Sequence, residues 1–376
     1  MLQELMKNMR IAQLVSNMYP TNRFANKAIY SHAGMLSDKL VERGHDVHVF
    51  GSNESETKAQ LHATSQALAG MELGDDAKKY RVLEHISRCY EFSKENIDVI
   101  HSHFTLLSSF FSDLSGIPTL ISVHSPIEER IRPFLEAYKN NKYISFSLAQ
   151  RKLMPELNWY ANIYHGVDTD IFAFEPEAED YFLYMGRITA DKGVHCAIEA
   201  AKIAGVNLRI AGTSYPSEGY WQKSVEPHVN GESIRYFGEM SFEAKIPLLQ
   251  KAKALLFPIS WNEPFGYAMI EAMSCGTPVI GFNNGSVPEI VQNGETGFVV
   301  ENAEDMAEAI KNIGQIDRAK VRKRAERYFS AEKMVSGYEK IYQRVIDENS
   351  FKQRKKIQRI LGTKLPHFPF PNFGKK

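Results

Sequence analysis

The sequence carries no excess of charge of either sign: 45 Lys and Arg stand against 45 Asp and Glu over 376 residues. That balance argues against nucleic acid as a partner, which needs a basic surplus to displace counterions from phosphate. Cysteine is scarce. Cys89, Cys196 and Cys275 are scattered without a CxxC pair, so no thiolate metal or redox site is expected, and a sparse, odd set fits a reducing compartment. No window approaches the ~18 unbroken apolar residues of a membrane span. The first ten residues lack the apolar core of a secretion signal, so a cytoplasmic, soluble chain is expected. No GxGxxG follows the first apolar run, which disfavours a hydride-transferring dinucleotide enzyme. Short repeats and low-complexity blocks are also absent.

What is present has the balance of an ordinary globular protein, 43% hydrophobic and 24% charged, at a length that favours two domains. Residues 10–16 (RIAQLVS) form a short apolar run. Ile29, Ala33, Leu36, Leu40 and Val41 then share one helical face, Gly44 stops that helix, and residues 46–50 (DVHVF) make a second strand. Strand–helix–strand predicts a parallel sheet. Residues 57–95 read as helical with breaks. Further strands are expected at 98–101, 118–124, 143–146 and 162–164, each a continuous apolar run of the kind covered on both faces. After a polar stretch a second series begins, with strands at 181–185, 207–210, 234–237, 254–258 and 278–280. The expected fold is therefore α/β with two Rossmann-like βαβ domains, 1–165 and 166–330, facing across a cleft. Residues 321–347 read as two final helices, with 331–350 packing back on the first domain.

Beyond Glu348 the sequence has no acidic residue, while eight Lys and Arg accumulate through Lys376 and Phe368, Phe370 and Phe373 lie near Pro369 and Pro371. Residues 351–376 are thus a basic tail. It reads either as a solvated end or as a peripheral contact with anionic lipid at the inner membrane surface.

In doubly wound sheets ligands lie outside the carboxyl ends of the strands, so the residues just after strands carry the function. Glu263-Pro264-Phe265-Gly266 follows one strand, and Glu271 lies eight residues after Glu263. Pro264 suits a first helical position, which would leave the N–H groups of Phe265, Gly266 and Tyr267 as an anion site for a diphosphate. Eight helical residues rise ~12 Å, too far for a glycosidase acid/base pair. The two carboxylates instead suit opposite ends of one extended ligand, a sugar and a ribose. Arg187, after YFLYM, and Lys192, before the next helix, are two cations placed to neutralise a leaving diphosphate. His124 ends the strand PTLISVH, where it either faces the cleft or is a satisfied core histidine. His101 and His103 have H-x-H spacing with no acidic or cysteine partner nearby in sequence, so no metal is expected there.

Residues 263–278 (EPFGYAMIEAMSCGTP) resemble the E-x7-E signature of the family 4 glycosyltransferases, a retaining GT-B family, and residues 284–291 and 294–297 resemble the loops that follow it. The resemblance runs to about residue 346. It implies transfer of a sugar from a nucleotide-diphosphate donor, UDP- or GDP-linked, to an acceptor hydroxyl with retention. It implies that Arg187 and Lys192 grip the phosphates (GR-x4-KG), that His124 lies against the sugar, and that Glu263 orients the sugar and Glu271 the ribose. Gly212 would come near the nucleotide, the segment from Gly238 to Ser241 would contact the base through its backbone, and 165–168 (HGVD) would be a hinge. The acceptor would be a glycan, a lipid-linked sugar or a small molecule, chosen by loops at 17–27 and 52–80. No DxD cluster is placed to hold a metal, so metal-independent activity without a cofactor is expected. One departure stands out: Lys27 and Ala28 occupy the place of the family's Gly-Gly pair. An epimerase using the same cleft and a non-catalytic nucleotide-sugar-binding protein remain as alternatives.

Overall fold

The computed structural model describes residues 8–215 and 219–361. Seven strands form the first sheet: β1 (Arg10–Leu14), β2 (Asp46–Gly51), β3 (Gln60–Ala63), β4 (Val99–Ser102), β5 (Thr119–Ser122), β6 (Lys142–Ser145) and β7 (Trp159–Asn162). All pair in parallel, in the order β3-β2-β1-β4-β5-β6-β7. Six more form the second: β8 (Phe182–Met185), β9 (Leu208–Ala211), β10 (Ile234–Tyr236), β11 (Leu255–Phe257), β12 (Val279–Phe282) and β13 (Gly297–Val300). These too are parallel, ordered β10-β9-β8-β11-β12-β13. Two parallel sheets covered by helices make this an α/β fold of the GT-B type. The order reverses between β1 and β4 in one sheet and between β8 and β11 in the other, and these are the points where crevices open.

The strands are short and the inner ones almost wholly buried: Ile11, Leu14, Val99, Ile100, Leu183, Ile210, Leu255 and Ile280 are all sealed from solvent. Two sequence expectations need correction. Residues 57–95 are not one broken helix, because 60–63 form the edge strand β3 and the helix begins only at Asp75, running to Asn96. As an edge, β3 has half-exposed side chains and lacks the apolar run that marks the inner strands. The last helix runs from Ala331 to Leu361, well into the segment read as a tail, since it contains no Pro and, after Gly337, no further Gly before Gly362. Residues 362–376, including the Phe and Pro residues of the basic tail, lie outside the described residues.

The chain passes between the sheets twice, side by side. Val167 N donates to Phe329 O at 2.9 Å and Ala331 N to Val167 O at 2.8 Å. After the second crossing, Met334, Val335, Tyr338 and Tyr342 of the last helix pack with Ile11, Leu36 and Ile144 of the first sheet's core. Among the described residues no helix is long and apolar enough to cross a membrane.

Candidate active site

Loops leaving the carboxyl ends of β8, β9, β10 and β11 converge beside the reversal point of the second sheet. Gly212 makes this possible. Its φ is +149°, and a Cβ there would lie 1.7 Å from Gly186 O, so only glycine lets the loops after β8 and β9 touch. Gly212 N donates to Gly238 O at 2.8 Å, linking the loop after β10. These loops bound a cleft of about 220 Å³. Gly186, Arg187, Gly212, Glu239, Met240 and Lys245 line one side; Tyr267, Ala268 and Glu271 close another; Asn26, Ala28 and Ser31 come from the first half. Gly238 itself does not line it; the next two residues do. Lys27 turns away, with its ammonium 4.4 Å from the centre of the Tyr19 ring. Arg187 is exposed and has no ion-pair partner among the described residues.

The helix expected to start at Pro264 starts later. Gly266 is its N-cap at φ +88°, and the helix spans Tyr267–Ser274. Pro264 therefore belongs to the approach loop rather than to the first turn. The loop is pinned from the following motif: Ser286 N donates to Glu263 O at 3.3 Å, and the Ser286 hydroxyl donates to Phe265 O. Phe265 has a buried ring, 5.0 Å from His165 and 6.0 Å from Phe329, and serves as core. The N–H groups at the helix start belong to Tyr267 and Ala268, both of which line the cleft.

Glu263 lies in the loop before this helix and Glu271 within it. Glu263 is ion-paired with Lys192 and accepts from Trp261 Nε1 at 3.0 Å, while the Lys192 ammonium sits 4.5 Å from the centre of the Trp261 ring. Glu271, 8% exposed, pairs with Lys245 at 2.6 Å. Lys245, which the sequence did not single out, lies 4.7 Å from the Phe242 ring centre. It sits on the Phe242–Lys251 helix, so only the fold brings it to Glu271.

Below the cleft the reversal point of the first sheet holds histidines. His103 Nδ1 and His124 Nε2 are 2.8 Å apart, and His103 Nε2 is 3.1 Å from Gln13 Oε1. His32 Nδ1 lies 3.0 Å from Tyr267 OH and 3.1 Å from His165 Nδ1. His165 stacks on Phe146 with ring centres 3.8 Å apart. His101 bonds Tyr342 and Ser122, both at 2.7 Å. Burial disfavours their charged form: it holds His103 down at about 3 and His32, His101, His124 and His165 well below the usual imidazole value. Donor atoms of His32, His103 and His124 all lie within 4.8 Å of one another, a group able to hold a metal ion. His32 escaped the sequence reading because it comes from the first helix, 71 residues before His103; the H-x-H spacing was the only visible trace.

Residues 168–329 match the family model described as glycosyl transferases group 1, and residues 31–171 match that described as glycosyltransferase family 4. The N-acetyl-alpha-D-glucosaminyl L-malate synthase of Bacillus anthracis is 35% identical over 373 residues, spanning 84% of this chain and 93% of that protein. An uncharacterized glycosyltransferase of Methanocaldococcus jannaschii is 28% identical over 301 residues, 72% of this chain and 83% of its own length. Among solved structures, the sucrose-phosphate synthase of Thermosynechococcus elongatus superposes with a TM-score of 0.72 at 20% identity, covering 91% of this chain and all of that one. Anabaena HepE in complex with UDP-glucose superposes at 0.66 and 15% identity, with 91% and 100% coverage. With both halves matched and a relative aligned along most of its length, the chain belongs to the GT-B glycosyltransferases, enzymes that transfer a sugar from a nucleotide-sugar donor.

Proposed function

We propose that this chain is a retaining family 4 glycosyltransferase that moves a sugar from a UDP- or GDP-linked donor to an acceptor hydroxyl without a catalytic metal. The observation that carries this reading is the cleft itself. Arg187, Tyr267 and Ala268 line one space together with Glu271, while the Lys192–Glu263 pair lies outside that lining. Residues 1–165 would form the acceptor side and 166–330 the donor side, with 331–350 tying them.

In the reaction the bond between the anomeric carbon and the phosphate oxygen breaks first, and its electron pair leaves with the nucleoside diphosphate. Arg187, Lys192 and the helix start at Tyr267 stabilise that negative charge in a site of low dielectric. The acceptor oxygen then attacks the oxocarbenium-like centre from the same face, and the departing phosphate oxygen takes the acceptor proton. Glu263 orients the sugar and Glu271 the ribose, each accepting hydroxyl hydrogen bonds, while His124 lies against the sugar. No protein nucleophile is needed, so the chain's contribution is positioning and charge. Because Glu263 and Lys192 hold each other, donor hydroxyls and phosphate must replace that pairing, which favours a ligand presenting both together.

The test is donor hydrolysis across a panel of nucleotide sugars. One base–sugar combination is expected to be turned over slowly without acceptor and faster with one, and Glu263→Ala is expected to lower kcat/KM by roughly 10²–10³-fold. Turnover lost in chelator and restored only by a divalent ion would overturn the metal-free mechanism, and conversion of the donor to an epimer would favour the epimerase reading.

A further inference from the structure

His32, His103 and His124 form a group for which the transfer chemistry has no collective use. Their donor atoms lie within 4.8 Å of one another, with His103 Nδ1 and His124 Nε2 at 2.8 Å. An imidazole-bound ion of the zinc type sits about 2.0–2.1 Å from each nitrogen, which sets ligand atoms roughly 3.4 Å apart in a tetrahedron. The trio reaches that geometry by opening its short edge by about half an ångström and closing its widest by about 1.4 Å at most, within reach of side-chain rotation.

The surroundings resemble those that orient metal-binding histidines. Gln13 Nε2 donates to Tyr342 OH at 3.0 Å, which leaves Gln13 Oε1 to accept from His103 Nε2 at 3.1 Å. That contact makes His103 Nε2 the protonated nitrogen and turns the Nδ1 lone pair towards the group, the arrangement by which a second shell fixes a ligand's tautomer. His32 is held from its Nδ1 side by Tyr267 OH at 3.0 Å, while its Nε2 has only a long 3.5 Å contact with Tyr338 OH. His32 and His103 are buried, but His124 is half-buried and gives a path in. A ligand set of imidazole alone, with no carboxylate, suits Zn²⁺, Co²⁺, Ni²⁺ or Cu²⁺ and not Mg²⁺, Mn²⁺ or Ca²⁺, which want oxygen. Three ligands leave a fourth position open for water or a substrate oxygen.

We propose that His32, His103 and His124 form a three-imidazole site for one borderline divalent transition ion, and that an ion bound there blocks sugar transfer instead of serving it. The block rests on the reading that places the donor sugar against His124; the ion-binding half does not.

The test uses the full chain after chelator treatment, with Co²⁺ as the probe. One equivalent should give the visible absorption of a tetrahedral cobalt centre, and one equivalent of Zn²⁺ should abolish it. Mg²⁺ should do neither. His103→Ala should weaken Co²⁺ binding at least tenfold, His124→Asn should do the same in case the first variant folds poorly, and exposed His195→Ala should change nothing. Absence of the cobalt spectrum, or equal affinity in the wild type and in folded His103→Ala and His124→Asn, overturns the site. With a donor in hand, Zn²⁺ should inhibit its turnover at the concentration that fills the site, and chelator should restore it. A filled site with undiminished turnover overturns the block while leaving the site standing. If no nucleotide sugar is turned over, the proposed function falls and the cobalt spectrum still decides the site.

Discussion

Lys245 shows how a residue can line a site without being visible in the sequence. Its ammonium lies 2.6 Å from Glu271, both side chains are mostly buried, and it packs over the Phe242 and Phe172 rings. Removing one partner of such a pair leaves a carboxylate without its counter-charge, at a cost of about 3 kcal/mol. Lys245→Met should therefore lower the urea midpoint and also raise the donor KM, because Glu271 no longer holds its orientation. Lys245→Met/Glu271→Leu should recover most of the stability but not the donor affinity. A double variant as unstable as the single one would mean that the loss does not come from leaving the Glu271 charge uncompensated. At this scale Arg187, Lys192 and Glu263 could be named from the sequence because each follows a strand or precedes a helix, and Glu271 because of its spacing from Glu263. Lys245 could not: it lies mid-helix, where a lysine ordinarily faces solvent.

Among the elements, the last helix is tied to the first, Ala28–Glu42, by charge as well as by packing. Arg43, just past the first helix, donates to Glu339 at 2.6 Å and also pairs with Glu332, and His45 Nε2 lies 3.1 Å from the other Glu339 oxygen. Burial pushes the Glu339 carboxyl up, but the hydrogen bond from His45 and the charge of Arg43 outweigh it and hold the group below its ordinary 4.5. A group whose folded value is depressed stabilises the fold in full above its unfolded value and loses that contribution as pH falls through the folded one. The clasp should thus be intact at pH 7 and weaken below about 4.5. Arg43→Met should lower the urea midpoint at pH 7 and shrink the drop in midpoint between pH 6 and pH 4; an unchanged drop would remove the clasp from the acid response. The strand and helix order of both halves could be read from continuous apolar runs and their polar breaks. β3 could not, since an edge strand exposed at both ends carries no such run, nor could β13, because Gly297 and the turn before it read as loop. The start of the Tyr267–Ser274 helix was misplaced because Pro264 fits a first turn and an extended approach equally well.

For the molecule as a whole, the cleft is held shut by contacts from far-separated segments. Arg23, on the loop before the first helix, pairs with Asp168 at 2.6 Å; Phe24 meets Phe242 edge-on at 5.3 Å; Glu289 accepts from Leu148 N and Ala149 N. Tyr267 reaches His32 across the same gap. None of these pairs is close in sequence, which is why composition and spacing point to two domains facing across a cleft but not to the residues that join them. Asp168 also lies next to the crossing at Val167, where the backbone passes between halves, so it couples the loop of one half to that crossing. Replacing it removes an ion pair that is mostly buried, with side-chain exposures of 20% and 14%, and frees the 17–27 loop. Asp168→Asn should shift the population towards an open cleft, weakening donor binding by the free energy needed to close it, about tenfold for ~1.4 kcal/mol. The kcat at saturating donor should change little, because bound donor restores closure. A fall in kcat with unchanged KM would mean that Asp168 acts on the reacting atoms and not on closure, and small-angle scattering of the variant with and without donor would then show no difference in radius of gyration from the wild type.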